Sequence, residues 1–393
     1  IKLTRAICDL GQPGYSALAD AYTESYYMTD CGGYSEFKMS RGREMEPRLW
    51  GVYSLVEPSR GERILDVGCG RGELAFALAA AGAQVEGVDY SEDAIAVAKK
   101  TFGGKCGNLR YTHADIFKME HLDSFDKIVM ADVVEHIEQE VLEKIFEKIA
   151  GSLNPNGCLI IHTAPNRDYY EITYPEIREQ ARRLGCWKPR NPRSYYEQLM
   201  HINEQTPAGL EKTLRKYFRQ VRVWTGSVRE MDAEKTAEES RRDMEIFAVA
   251  CQEASLLEGS IRKFTARPEW DSCRVELEAA DITVPAGEGG YTTAVTVRNL
   301  GSESFSFRRK YPINLAYHIL DREGDMLLFD GERTFIYDEI KPGMEREMQM
   351  RLRLPPGLDP SKEYICRLTL VAEGCFWFDR EGGNKADVRL RFQ

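Results

Sequence analysis

The stretch Ile64-Leu-Asp-Val-Gly-Cys-Gly-Arg-Gly-Glu73 constrains this chain more than any other. Ile64, Leu65 and Val67 read as a short buried strand. Gly68, Gly70 and Gly72 then make a turn in which φ can be positive and backbone can approach a ligand. Leu74 to Ala81 is small and apolar and reads as a helix. A glycine turn that feeds a helix N-terminus offers free backbone N–H groups to a polar ligand. A second strand, Gln84-Val-Glu-Gly-Val-Asp89, ends in an acid 19 residues after Gly70. An acid at the tip of the second strand of a βαβ unit can take both hydroxyls of a ribose. This half of the chain is therefore expected to bind a nucleoside. The spacing departs from the dinucleotide pattern G-x-G-x-x-G, because the third glycine is at 72 and position 73 is Glu.

Asp66-Val-Gly-Cys-Gly-Arg-Gly72, followed by Gly87-Val-Asp-Tyr-Ser91, resembles the class I S-adenosylmethionine-dependent methyltransferases. Two segments downstream extend the likeness. His113-Ala-Asp-Ile-Phe117 is similar to the family's segment that contacts adenine. Asp126-Lys-Ile-Val-Met-Ala-Asp-Val-Val-Glu-His136 is similar to its fourth strand and the loop beneath the methyl donor. The resemblance implies S-adenosylmethionine as cofactor and a donor site built by residue. Asp66 would order the glycine turn and reach the methionine amino group. Gly68, Cys69 and Gly70 would let backbone approach the donor, and Asp89 would hold the ribose. Tyr90 would lie against adenine, Asp115 would accept from its exocyclic amine with Ile116 beside it, and Asp132 would line the methyl side.

At 393 residues, two domains are expected. The first is a Rossmann-like seven-stranded α/β domain, residues 61–252, behind a helical cap at 1–60. Strands are expected near 63–67, 84–89, 109–113, 126–131, 157–163, 219–225 and 244–251. Helices are expected near 72–81, 91–100 and 137–152, with another from 207 to 217. The cap is tyrosine-rich, and Tyr34 and Arg43 are its candidate donor contacts. Residues 164–206 interrupt the alternation as a candidate lid. Arg178, Arg182, Arg183, Lys188, Arg190 and Arg193 with Trp187, Tyr195 and Tyr196 suit a sugar joined to phosphate. After a linker at 253–271, residues 272–393 alternate in short runs between Gly and Pro turns. That pattern predicts an all-β, immunoglobulin-like antiparallel sandwich. Within it, Leu370-Val-Ala-Glu-Gly-Cys-Phe-Trp-Phe-Asp379 resembles a segment of β-sandwich modules attached to cell-surface glycan enzymes. A structural or homo-oligomerising role for this domain stays open beside glycan recognition.

Formal charge is −10, which argues against a general nucleic-acid or membrane-surface binder. No apolar run approaches the roughly 18 residues of a membrane span. The ten cysteines are scattered without C-x-x-C pairs, the usage of a reducing cytoplasm. Six scattered histidines show no metal-ligand spacing, so no metal is expected. Methyl transfer to a hydroxyl is helped by a base, and His136 and His201 are the candidates, with His162 weaker. Glu135 and Glu204 flank them and could orient an imidazole. The expected reaction is O-methylation of a sugar hydroxyl, on a nucleotide sugar or a surface polysaccharide. Methylation of a small metabolite and a non-catalytic glycan-binding role are the alternatives.

Overall fold

A computed structural model describes residues 22–42, 45–119, 122–285, 290–306, 310–336, 339–380 and 384–393. They fall into two compact units, Ile1–Lys263 and Phe264–Gln393. Arg43 lies outside the described residues.

In the first unit, α1 (Glu24–Thr29), α2 (Tyr34–Ser40) and α3 (Pro47–Val56) precede the sheet. Then β1 (Arg63–Val67), β2 (Gln84–Asp89), β3 (Leu109–His113), β4 (Phe125–Ala131) and β5 (Leu153–Thr163) run parallel. The helices α4 (Glu73–Ala80), α5 (Glu92–Phe102) and α6 (Gln139–Ser152) lie between them, as parallel crossovers require. In α5, Ser91 accepts from the Ala94 N–H at 3.1 Å, and Glu92 and Asp93 suit the positive end of the helix. In α6, Leu142, Ile145, Phe146 and Ile149 are buried at helical spacing and face the sheet core. This helix begins two residues later than expected. Val134–His136 is a 3-10 turn, and Ile137 is extended at φ −114° and ψ 129°.

The insert holds α7 (Tyr174–Arg183) and α8 (Tyr195–Met200), and α9 (Pro207–Leu214) follows. Then come β6 (Gln220–Thr225), the short α10 (Ala237–Ser240), β7 (Ile246–Cys251) and α11 (Ala254–Thr265). The strand order is β3-β2-β1-β4-β5-β7-β6, with β7 antiparallel to both neighbours. The order reverses between β1 and β4. Loops leaving such a point diverge and open a crevice at the strand carboxyl ends.

The second unit is all-β. One sheet is β14 (Glu345–Arg353), β10 (Gly290–Asn299) and β8 (Val275–Glu278). The other runs β12 (Met326–Leu328), β11 (Ile313–Leu320), β15 (Tyr364–Ala372), β17 (Lys385–Phe392) and β9 (Ile282–Val284). Two short strands join it, β13 (Thr334–Phe335) on β11 and β16 (Phe376–Trp377) on β15. Val295, Val297, Met350 and Leu352 of the first sheet share one core with Leu315, Tyr317, Leu368 and Leu370 of the second. The pairing is not wholly antiparallel as expected, since β9 runs parallel to β17. The hundred residues between them supply the long connection that a parallel pair needs.

Phe378 belongs to this core at 0% exposure, edge-on to Phe305 at 5.6 Å. Phe378→Ala should cost about 3–5 kcal/mol. Phe376→Ala, at a half-buried position, should cost clearly less. Urea unfolding of the two variants checks this, and equal midpoints would remove Phe378 from the core.

Candidate active site

The turn after β1 takes positive φ at Gly68 (69°), Gly70 (52°) and Gly72 (84°). Packing also forbids a side chain at two of them. A Cβ on Gly68 would fall 2.5 Å from Val133, and one on Gly72 would fall 2.6 Å from the Tyr111 hydroxyl. At Gly70 the nearest atom would be 3.7 Å away, on Tyr27, so there the turn faces space. The Gly70 N–H donates to Asp89 Oδ2 at 2.9 Å, and the Ser91 N–H donates to Asp89 Oδ1 at 2.8 Å. The acid at the tip of β2 thus closes the glycine turn. Burial pushes its carboxyl up to about 6, against those two N–H groups.

A cavity of about 390 Å³ opens above this turn. Its wall includes Gly68, Cys69, Gly70, Asp89, Tyr90, Asp115, Ile116, Asp132, His136 and His201. Ten of the eleven candidate donor and catalytic positions lie on this wall, and Asp66 alone is off it. It is 2% exposed, and its Oδ2 has no hydrogen-bond partner. Burial, with Asp89 and Glu73 nearby, pushes its carboxyl up to about 8.

The cap supplies wall residues that sequence reading did not assign. Tyr22, Tyr26 and Tyr27 line the cavity, with Tyr22 edge-on to Tyr90 at 5.4 Å and Tyr26 at 4.8 Å from Tyr196. Tyr34, the expected cap contact, is off the wall and 40% exposed. Arg71 holds the cap in place. It is 3% exposed, pairs with Glu73 at 2.8 Å, and donates to the carbonyls of Tyr27, Cys31 and Gly32. An arginine inside a glycine turn was the available signal.

On the other side of the crevice, Asp132 sits at φ 57° just after β4. Its carboxylate takes Arg48 Nε at 2.6 Å and His162 Nδ1 at 2.6 Å. His162 also bonds Glu245, and Arg48 also pairs with Glu46. Burial works against the Asp132 charge, but Arg48 and His162 outweigh it and hold the carboxyl well below its usual range. Burial likewise opposes charge on His162, yet Asp132 and Glu245 raise it to about 9. His162 is fully buried and off the cavity wall, bonded to Asp132.

His136 and His201, 65 residues apart in sequence, meet here with ring centroids 4.8 Å apart. His136 Nδ1 lies 3.2 Å from the Met200 carbonyl. A carbonyl only accepts, so Nδ1 carries the proton and Nε2 the lone pair. Burial and the neighbouring His201 pull His136 down to about 3. Burial also opposes charge on His201, but Glu204, Glu135 and Glu197 outweigh it and raise its pKa. Glu135 is 1% exposed and accepts from Thr163 Oγ1 at 2.7 Å; burial and Asp132 push it up to about 7. Glu204 is engaged by Arg193 Nε at 2.7 Å.

The basic insert does not converge on the cavity. Arg182 and Arg183 pair with Glu179 on the solvent face of α7, and Trp187 is 85% exposed. Arg193 lies over the Tyr170 ring at 4.1 Å. Of the insert's basic and aromatic candidates, only Tyr196 reaches the wall. Charge pattern located the insert but not which face of α7 would turn outward. The arginines on the wall are Arg48 and Arg71, both engaged by carboxylates.

Residues 64–157 match a family model described as "Methyltransferase domain". The mitochondrial ubiquinone biosynthesis O-methyltransferase of Schizosaccharomyces pombe is 38% identical over 108 residues, 26% of this chain and 38% of that protein. The ubiquinone biosynthesis O-methyltransferase of Bradyrhizobium diazoefficiens is 29% identical over 190 residues, 48% of this chain and 71% of that protein. Several other such relatives are spanned over about half their length or less. Among solved structures, the magnesium protoporphyrin IX methyltransferase of Synechocystis PCC 6803 with bound SAM is 16% identical, with a TM-score of 0.40, over 62% of this chain and 100% of that one. The first unit carries a methyltransferase domain, and S-adenosylmethionine is its cofactor. The residues fit that molecule: on the cavity wall a carboxylate at 89 ends β2, and the backbone at Gly70 is open.

Asp66→Asn tests the buried carboxyl. Its folded pKa is raised, so the stability it contributes is present below the unfolded value of 3.8 and lost as pH rises toward 8. Relative to Asp66→Asn, the wild type should lose thermal stability steadily across that window and no further above it. A melting-temperature difference that does not change with pH would show that Asp66 titrates normally.

Proposed function

We propose that this chain transfers a methyl group from S-adenosylmethionine to a hydroxyl oxygen of an uncharged, ring-bearing small molecule. The observation that carries this is the single cavity wall running from Asp89 and Asp115 to Asp132, His136 and His201. S-adenosylmethionine supplies an electrophilic methyl: the acceptor oxygen forms the new C–O bond as the C–S bond breaks, its electron pair staying on sulfur. The protein's part is positioning and proton handling. Asp89, Asp115 and the Gly68–Gly70 backbone are placed to hold the nucleoside. In this reading His136 and His201 help the acceptor's weakly acidic hydroxyl to lose its proton.

Oxygen as the accepting atom is supported by the O-methyltransferase relatives. An uncharged acceptor is supported by the wall. Asp30, Asp115, Glu197 and Glu245 face the same space as two arginines already engaged, which disfavours a phosphate. A nucleotide sugar is therefore the weaker form of the sugar reading. The tyrosine rings suit the face of a neutral sugar or a phenol. We read the second unit as an immunoglobulin-like sandwich with a structural role. Its glycan reading rested on the run from Leu370 to Asp379, in which Phe378 is core and Trp377 lies under Arg333 at 4.8 Å.

Calorimetric titration should show binding of S-adenosylhomocysteine and none of NAD. Asp89→Ala should weaken that binding by about tenfold or more, the worth of a hydrogen bond to a charged group. Unchanged affinity in a folded variant would refute the ribose assignment. Neutral sugars and phenols are the acceptors to screen. His136→Ala and His201→Ala should each lower turnover while still binding donor, and full turnover in both would remove them from the chemistry.

A further inference from the structure

Glu135, His136 and His201 do more than share a wall. Each offers a ligand atom, and the three atoms lie within 4.8 Å of one another. Ligands around a cation with bonds of about 2.1 Å stand about 3–4 Å apart. Small side-chain rotations would close the triangle. No hydrogen bond holds the three to each other: Glu135 Oε1 is 3.9 Å from His136 Nε2.

Two of the three are also oriented from behind. The Thr163 hydroxyl occupies Glu135 Oε2 and leaves Oε1 on the His136 side. The Met200 carbonyl holds His136 Nδ1–H and leaves the Nε2 lone pair facing that carboxylate. Such a carbonyl contact is what fixes the tautomer of a metal-bound histidine. His201 Nδ1 is buried without a hydrogen-bond partner, 3.8 Å from Glu204. Asp132 is nearby but already committed to Arg48 and His162.

We propose that Glu135, His136 and His201 form a site for one divalent cation. Two imidazoles and one carboxylate favour a first-row transition ion such as Zn²⁺ or Mn²⁺ over Mg²⁺ or Ca²⁺. Three protein ligands leave a position open to the cavity. Resting on the methyltransferase reading above, the cation holds the acceptor hydroxyl oxygen there and eases loss of its proton to solvent. The two histidines then act together as ligands, and neither is a lone base.

The full-length chain, stripped with a chelator, is titrated calorimetrically with Zn²⁺, with Mn²⁺ and separately with S-adenosylhomocysteine. One cation per chain is expected. Glu135→Gln and His201→Ala should each weaken cation binding by about tenfold or more, with S-adenosylhomocysteine affinity and the circular dichroism spectrum unchanged. No cation binding up to millimolar concentration, or wild-type affinity in both variants, overturns the site. S-adenosylhomocysteine binding without cation binding overturns the cation site alone. Binding of neither brings down the methyltransferase reading as well.

Discussion

The carboxylate of Asp89 accepts the Gly70 and Ser91 N–H groups, and much of the first unit is arranged around that pair of bonds. They tie the loop after β1 to the loop after β2. Ser91, fixed by one of them, caps α5 and donates its hydroxyl to the Tyr22 carbonyl. Arg71, in the same glycine turn, takes three carbonyls of the cap. A buried carboxylate is costly unless its oxygens are occupied. Here occupying them also closes the turn, starts a helix and seats the tyrosines.

A second set of charges, half-buried around the fully buried His162, faces the first across the crevice. Arg48, Asp132, His162 and Glu245 form a continuous chain from the cap helix α3, through the end of β4, to β5 and the start of β7. Removing one member of such a network leaves its partner buried and unpaired. Between these two assemblies lie His136 and His201. The cavity wall thus joins these polar groups to the rings of Tyr22, Tyr26, Tyr27 and Tyr90.

The strands of the first unit's sheet were legible because each is a short apolar run bounded by a turn signal. Ile64 to Val67 and Ile246 to Cys251 are examples, buried along their length. The donor loop was legible because its glycines are demanded by φ and by close approach. The insert was misread, because composition says how many arginines it holds and not that Glu179 would keep two of them in solvent. In the second unit, strand patterning revealed the all-β character. It did not reveal the parallel β9–β17 pair, which joins residues a hundred positions apart.

Sequence alone determined the glycine turn, the acid that closes it, the order of the βα units and the change to short alternating strands. All of these follow from steric demand or periodicity within a few residues. The tertiary structure decided which polar groups meet. His136 and His201 become neighbours only because the end of α8 packs against the 3-10 turn after β4, and Arg48 finds Asp132 only because α3 packs on the sheet. Such pairings depend on long-range packing, in which no local spacing rule applies.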